Sequence, residues 1–303
     1  MNNKTAPAST SAVGVIGLGI MGGNFAAHLA AAGVKTLGYD VLPGPLERLN
    51  AQGGQSCSSS RAVAQEADLV ITSLPSVKAF EQALFGTAGL AEAARPTLLV
   101  IETSTLPLDI KESARARLAE AGIGMLDAPV SGTGVQAQAK DISVLASGPR
   151  GDFERARDTL SHFARSVRYV GEFGAGSKVK YVANLLVAVH TLAAAEALAL
   201  GEKAGLDPAM LLDVLTDGAG TSRMLEVRGP TMVAKTYATP MIKIDTFQKD
   251  LDIIAAFARQ SKCPVPLFDA SIPWFTAAGA QGMGGYDNAA VISILRQMAG
   301  LAD

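Results

Sequence analysis

Cysteine and histidine are scarce in this chain. Across 303 residues there are 2 cysteines, Cys57 and Cys263, far apart in the sequence. The 3 histidines, His28, His162 and His190, show no helical ligand spacing such as HxxxH. These absences exclude a disulfide framework and a structural metal centre, and they predict reduced thiols in a cytoplasmic setting. A basic excess is missing too. With Lys and Arg at 26 against Asp and Glu at 28, the net charge of -2 offers no general grip on a phosphate backbone, so nucleic acid is not an expected partner. The first eleven residues, "MNNKTAPASTS", lack the apolar core of a secretory signal and the arginines of a transit peptide, and read as a frayed arm. One segment could be mistaken for a membrane span. The best candidate, "LLVAVHTLAAAEALAL" at 185–200, contains His190 and Glu196 and falls short of roughly 20 residues. It reads as a helix buried between protein surfaces, with no membrane as partner.

Glycine and aliphatic residues are plentiful instead. A hydrophobic content of 49% can fill substantial cores, and the length suits two domains of about 100 to 200 residues each. "VIGLGIMGGNFAAHLAAAG" begins at Val15 as the end of a β-branched strand and continues as a helix stopped by Gly33. On the turn between them Gly17, Gly19 and Gly22 make GxGxxG. The first permits the tight turn, the second lets a pyrophosphate approach the backbone, and the third lets helix and strand pack closely. The helix start then offers N–H groups and a positive dipole end. A second apolar run, "VKTLGYD", ends in Asp40, whose carboxylate suits a ribose 2′-OH and repels a 2′-phosphate. NAD is therefore expected over NADP. The alternative is that Asp40 simply caps the turn before "LPGP".

Further apolar runs at 68–74, 97–102 and 123–130 alternate with helical stretches such as "DIKESARARLAEAG". This alternation predicts an α/β fold, an N-terminal Rossmann doubly wound parallel sheet over 12–174. The loops "SLPS", "ETSTLP" and "DAPVSGTG" fall at the carboxyl ends of these strands, where open α/β sheets bind ligands. After "SVRYVGEFGAGS" strands disappear. One long helix runs to about Gly205, roughly 40 Å at 1.5 Å per residue, and opens an all-helical domain over 175–303 for substrate binding and dimerisation. Breaks are expected at "GLDP", "DGAGTS", "KCPVP" and "GMGGYD". Near the helix start Lys180 and Asn184, four residues apart, share one face. A proton-donating lysine beside an amide is the equipment that reduction of a carbonyl by a nicotinamide requires.

Four motifs in order resemble the β-hydroxyacid dehydrogenase family, which includes 3-hydroxyisobutyrate dehydrogenase and tartronate semialdehyde reductase. The family's dinucleotide motif matches Gly17, Leu18, Gly19, Ile20, Met21 and Gly22, and its substrate loop matches "DAPVSG" at 127–132. Its GxGxxxKxxxN motif matches Gly174, Gly176, Lys180 and Asn184, and its KDL matches Lys249, Asp250 and Leu251. The resemblance implies that Lys180 is the general acid/base and that Asn184 orients the substrate. It implies that Ser131 and Gly132 hold the substrate carboxylate, that Lys249 approaches the nicotinamide or the substrate, and that Leu74, Pro75 and Thr105 line the cofactor side.

Two positions depart from the family pattern. Thr133 and Lys140 stand where glycine is usual. Thr133 either narrows the pocket and grips an additional substrate hydroxyl, or points away and contributes backbone alone. Related 6-phosphogluconate dehydrogenases carry a histidine directly before the helix asparagine, where this chain has Ala183, and imine reductases replace the lysine. The expected activity is an NAD(P)-dependent interconversion of a short 3-hydroxy acid and its semialdehyde. Tartronate semialdehyde (2-hydroxy-3-oxopropionate) comes first, 3-hydroxyisobutyrate second and a threonate-type sugar acid third. A non-catalytic NAD-sensing module is the reading from another class. The apolar long helix predicts a homodimer or homotetramer.

Overall fold

The computed structural model describes residues 12–93 and 95–301, so the N-terminal arm lies outside the described residues. By internal contacts the chain divides into two compact units, residues 1–180 and 181–303. The division falls inside the helix Ala175–Lys203, which was expected as a single rod.

The first unit is built on six parallel strands: β1 (Val13–Ile16), β2 (Thr36–Tyr39), β3 (Gln55–Ser56), β4 (Leu69–Thr72), β5 (Leu99–Glu102) and β6 (Gly124–Asp127). Their order is β3-β2-β1-β4-β5-β6, the doubly wound arrangement with its switch point between β1 and β4. Most residues of the five longer strands are apolar because both faces are covered. Val13, Val15, Leu69, Ile71, Leu99, Ile101 and Leu126 enter one core, whereas Ile16, Leu37, Val70, Val100 and Met125 enter the other. In the ladder Ile16 pairs with Tyr39 and Thr72, Thr72 with Glu102, and Glu102 with Asp127. The carboxyl ends of the five longer strands thus form one row, and three of its neighbours are polar.

The expected strand over 123–130 is broken. After Asp127 the chain leaves the parallel sheet at Ala128 and Pro129, and Val130–Ser131 becomes β7 of a second sheet. There β7 pairs antiparallel with β8 (Ser143–Ala146), and β8 pairs parallel with β9 (Ser166–Tyr169). This three-stranded sheet was not anticipated. Its link to the first sheet is a bridge in which Asp127 and Ser147 exchange backbone hydrogen bonds of 3.0 and 2.7 Å.

The described residues of the second unit are helical, with helices Pro208–Asp217, Arg223–Ala234, Ile244–Gln260, Pro266–Ala278 and Val291–Met298 after the long helix. Four of the breaks fall at the expected segments marked by glycine and proline, and a fifth, over 235–243 between Arg223–Ala234 and Ile244–Gln260, was not expected. Two buried ion pairs tie these helices together. Arg228 Nη1 donates to Asp287 at 2.8 Å, and Arg296 Nε donates to Glu202 at 2.8 Å. Asp287 also accepts from the backbone of Met241 at 2.6 Å, so its charge is spread over several donors.

Candidate active site

The turn after β1 is shaped by three glycines, each for a different steric reason. Gly17 has φ +86°, and a Cβ there would lie 2.2 Å from Ser73 O. At Gly22 a Cβ would lie 1.9 Å from Gly17 O, so the helix Ile20–Ala31 can dock on the turn only without a side chain. Around Gly19 the Cβ position meets nothing within 4 Å. Gly19 is the N-cap, with no side-chain cap and no acidic residue in the first turn. An open cradle over an uncapped helix start fits the pyrophosphate of a dinucleotide, which would be met by N–H groups and the dipole. Ile20, 67% exposed, and Met21 form the outer part of this turn.

Asp40 follows β2 with its carboxylate already engaged. Leu18 N donates to one oxygen at 2.7 Å, and Leu42 N donates to the other at 2.9 Å. The turn-capping alternative therefore describes a real bond. It does not exclude ribose, since each carboxylate oxygen retains a further acceptor site. Beyond β4, Leu74 is half-buried and its N–H donates to Ser104 Oγ at 2.8 Å, with Pro75 exposed beside it and Thr105 half-buried after β5.

β7 ends in Ser131, and the loop after it carries Gly132 and Thr133. Gly132 has φ +141°, and a Cβ would meet Ile142 Cγ2 at 2.6 Å, so this backbone stays bare. The Ser131 hydroxyl has no hydrogen-bond partner among the described residues. Thr133 is different: its Oγ1 accepts from Gln136 N at 3.3 Å, and its N–H donates to Gln136 Oε1 at 2.9 Å, a capping box for the helix Gly134–Gln138. The Thr133 oxygen is thus committed to the helix start. A Cβ on Gly134 would lie 2.5 Å from Ile20 Cγ2, which brings the substrate loop against the glycine-rich turn. Lys140, just past this short helix, sits at φ +57°, the left-handed region that explains why glycine is usual there.

The start of the long helix is anchored to the sheet edge. Gly174 turns into it at φ +91°, and a Cβ on Gly176 would lie 2.3 Å from Leu145 O. Close contact lets Asp127, fully buried, accept from Ser177 N at 2.7 Å and Ser177 Oγ at 2.8 Å. Lys111, also fully buried, donates to Asp127 Oδ1 at 2.8 Å and to Ser104 O at 2.7 Å. Glu102 lies 4.0 Å from the same ammonium, accepts from Ser104 N at 2.6 Å and bonds Thr72 Oγ1. Burial pushes the Glu102 carboxyl above its ordinary range against the pull of Lys111. One turn further on, Lys180 is half-buried.

In the second unit Asn184 is 7% exposed, and its Nδ2 donates to Asp250 Oδ2 at 2.9 Å. Lys249 Nζ lies 3.2 Å from the other oxygen of Asp250. Asn184 and the KDL segment of the helix Ile244–Gln260 therefore form one cluster.

Two parts of the chain match known families separately. Residues 12–171 match the NAD binding domain of 6-phosphogluconate dehydrogenase, and residues 174–295 match the NAD-binding domain of NADP-dependent 3-hydroxyisobutyrate dehydrogenase. L-threonate dehydrogenase of Cupriavidus necator is 42% identical over 283 residues, 93% of this chain and 95% of that protein. The chain belongs to the β-hydroxyacid dehydrogenase family. Another relative, 2-hydroxy-3-oxopropionate reductase of Escherichia coli, is 32% identical, with 95% of this chain and 98% of that protein covered. The crystal structure of 3-hydroxyisobutyrate dehydrogenase from Salmonella typhimurium superposes with a TM-score of 0.85 at 36% identity, covering 94% of this chain and 99% of that one. This β-hydroxyacid dehydrogenase is an NAD(P)-dependent oxidoreductase acting on a CH–OH group.

Sequence reasoning missed the buried cluster that Lys111, Ser147 and Ser177 form around Asp127 in this β-hydroxyacid dehydrogenase. A signal for Lys111 existed. With Ala114 and Leu118 it shares the spacing i, i+3, i+7, the buried face of the helix Leu108–Glu120. A lysine on such a face needs an anion, and Glu102 and Asp127 end the two strands beneath it.

Proposed function

We propose that this enzyme oxidises a hydroxyl of a short sugar acid of the threonate type, with NAD preferred. The observation that carries the reading is the pairing of a half-buried Lys180 with a buried Asn184 one helical turn later. The latter's amide is held by Asp250. With Nδ2 donating to that carboxylate, the Asn184 carbonyl oxygen is left to accept from a hydroxyl donor. The 42% identity to an L-threonate dehydrogenase moves this substrate ahead of tartronate semialdehyde, whose reductase is 32% identical.

In this reading Lys180 takes the proton from the reacting hydroxyl and returns it in the reverse direction. Asn184 orients the substrate by accepting from a second hydroxyl, while Ser131 Oγ and the bare backbone at Gly132 bind the carboxylate. When bound, the nicotinamide supplies the hydride acceptor. Gly17, Gly19 and Gly22 admit its pyrophosphate, and Asp40 meets the ribose with a negative charge that disfavours a 2′-phosphate. Leu74, Pro75, Thr105 and Lys249 complete the cofactor side. Thr133 acts mainly as the cap of the loop. Replacing Lys180 by alanine is expected to lower kcat by about 10²- to 10⁴-fold while NADH affinity stays near wild type. Near-normal turnover in that variant would refute the role of Lys180.

A further inference from the structure

The acid/base reading of Lys180 leaves open what fixes its position. We propose that Asp127 and Lys111 are positioning residues that clamp the first turn of the catalytic helix and thereby hold Lys180 in register with the sheet edge. The proposal rests on the reading of Lys180 above.

Helix starts are ordinarily capped by a side chain from the residue just before them. Here the capping group comes from the end of β6, fifty residues earlier in the chain. The Asp127 carboxylate receives Ser177 N at 2.7 Å, Ser177 Oγ at 2.8 Å and Lys111 Nζ at 2.8 Å, and the single Ser147 hydroxyl proton is shared between the Asp127 backbone oxygen at 3.0 Å and Oδ2 at 3.2 Å. Ser147 Oγ in turn accepts from Gly176 N at 2.9 Å. Two successive N–H groups of the first turn are therefore bound by groups rooted in β6 and the end of β8. Glycine at 176 is what permits the approach, since any Cβ would strike Leu145 O.

All members of this cluster are buried: Lys111, Asp127 and Ser147 are 0% exposed, and Ser177 is 1% exposed. A buried carboxylate and ammonium are costly to desolvate and would contribute little to stability over an apolar pair. What they specify is geometry. Asp127 accepts along four directions at once, so the helix start cannot rotate or slide without leaving a buried donor unpaired. Ser177 lies three residues before Lys180, within one turn, and a displacement at Ser177 is carried directly to the lysine. The Lys111 ammonium supplies the charge that balances Asp127, and its second bond, to Ser104 O, fixes it to the loop after β5.

The test uses the full-length enzyme with Ser177→Ala, Ser147→Ala, Asp127→Asn and the conservative Ser177→Thr. Leu118→Ala serves as a control for destabilisation, because Leu118 is buried in the same layer and absent from the cluster. Two readouts are taken: kcat and KM for L-threonate with NAD, and amide hydrogen exchange of 175–181 against 190–200. Ser177→Ala is expected to lower kcat about tenfold, and Asp127→Asn about a hundredfold, with KM and NADH affinity within about twofold. Exchange should rise over 175–181 alone, and Ser177→Thr should recover most of the turnover. Ser177→Ala and Ser147→Ala carry the test where Asp127→Asn does not fold. Unchanged exchange over 175–181 in Ser177→Ala and Ser147→Ala would overturn the clamp. An equal loss of kcat in Leu118→Ala at matched melting temperature would overturn it too. Retained turnover in Lys180→Ala would refute the acid/base reading, while the exchange result would still decide the clamp.

Discussion

Glu102 and Asp127 end neighbouring strands in register, both fully buried, and are treated differently by their surroundings. Asp127 is met by four donors. Glu102 receives Ser104 N and Thr72, with Lys111 at 4.0 Å, and burial raises its carboxyl above the ordinary range. A raised folded-state value means that folding favours the protonated form. The Glu102 contribution to stability is therefore complete below the ordinary carboxylate pKa and is lost as pH rises through the raised value. Glu102→Gln keeps the neutral shape, donating to Thr72 Oγ1 and accepting from Ser104 N. The melting temperature of this variant, relative to wild type, is expected to be higher at pH 8 than at pH 5. A difference independent of pH would contradict the assignment.

At the scale of elements, function depends on where helices may touch strands. Gly22 lets the helix Ile20–Ala31 rest on Gly17, with only 1.9 Å available to a Cβ. Gly22→Ala must push helix from strand. It should cost about 1–3 kcal/mol of stability and weaken NADH binding together, as measured by denaturation and by fluorescence titration. Apart from its short polar edge strand, Gln55–Ser56, which was missed, the first sheet was legible in the sequence because its strands are largely apolar and separated by helices; the glycines marked the turn at its switch point. The second sheet was not. β8 and β9 are four residues each, and they owe their pairing to one another across the helix Arg150–Ser161, a non-local contact that no short window contains. The same limit hid the clamp. Lys111 reads as a surface lysine in "DIKESARARL" until the strand register places Glu102 and Asp127 beneath it, whereas Lys180 and Asn184 were found because their relation is local to one helix.

For the molecule as a whole, the long helix presents Val179, Val182 and Leu186 at 42%, 57% and 47% exposure, spaced i, i+3 and i+7 on one face. Such a stripe is costly to leave in water, and association of two chains through it would cover it. Val182→Glu together with Leu186→Glu should shift the sedimenting species toward monomer at micromolar concentration. A wild-type chain that sediments as monomer would contradict this assembly.

In the proposed reaction the enzyme removes hydride and proton from a threonate-type hydroxy acid. Its most direct test is the appearance of NADH absorbance at 340 nm on mixing enzyme with L-threonate and NAD, repeated with NADP and run in reverse with 2-hydroxy-3-oxopropionate and NADH. Rapid reduction of NAD by L-threonate, slower reduction of NADP and weaker turnover of the semialdehyde are expected. Silence with L-threonate alongside fast NADH oxidation by 2-hydroxy-3-oxopropionate would contradict the proposed reaction.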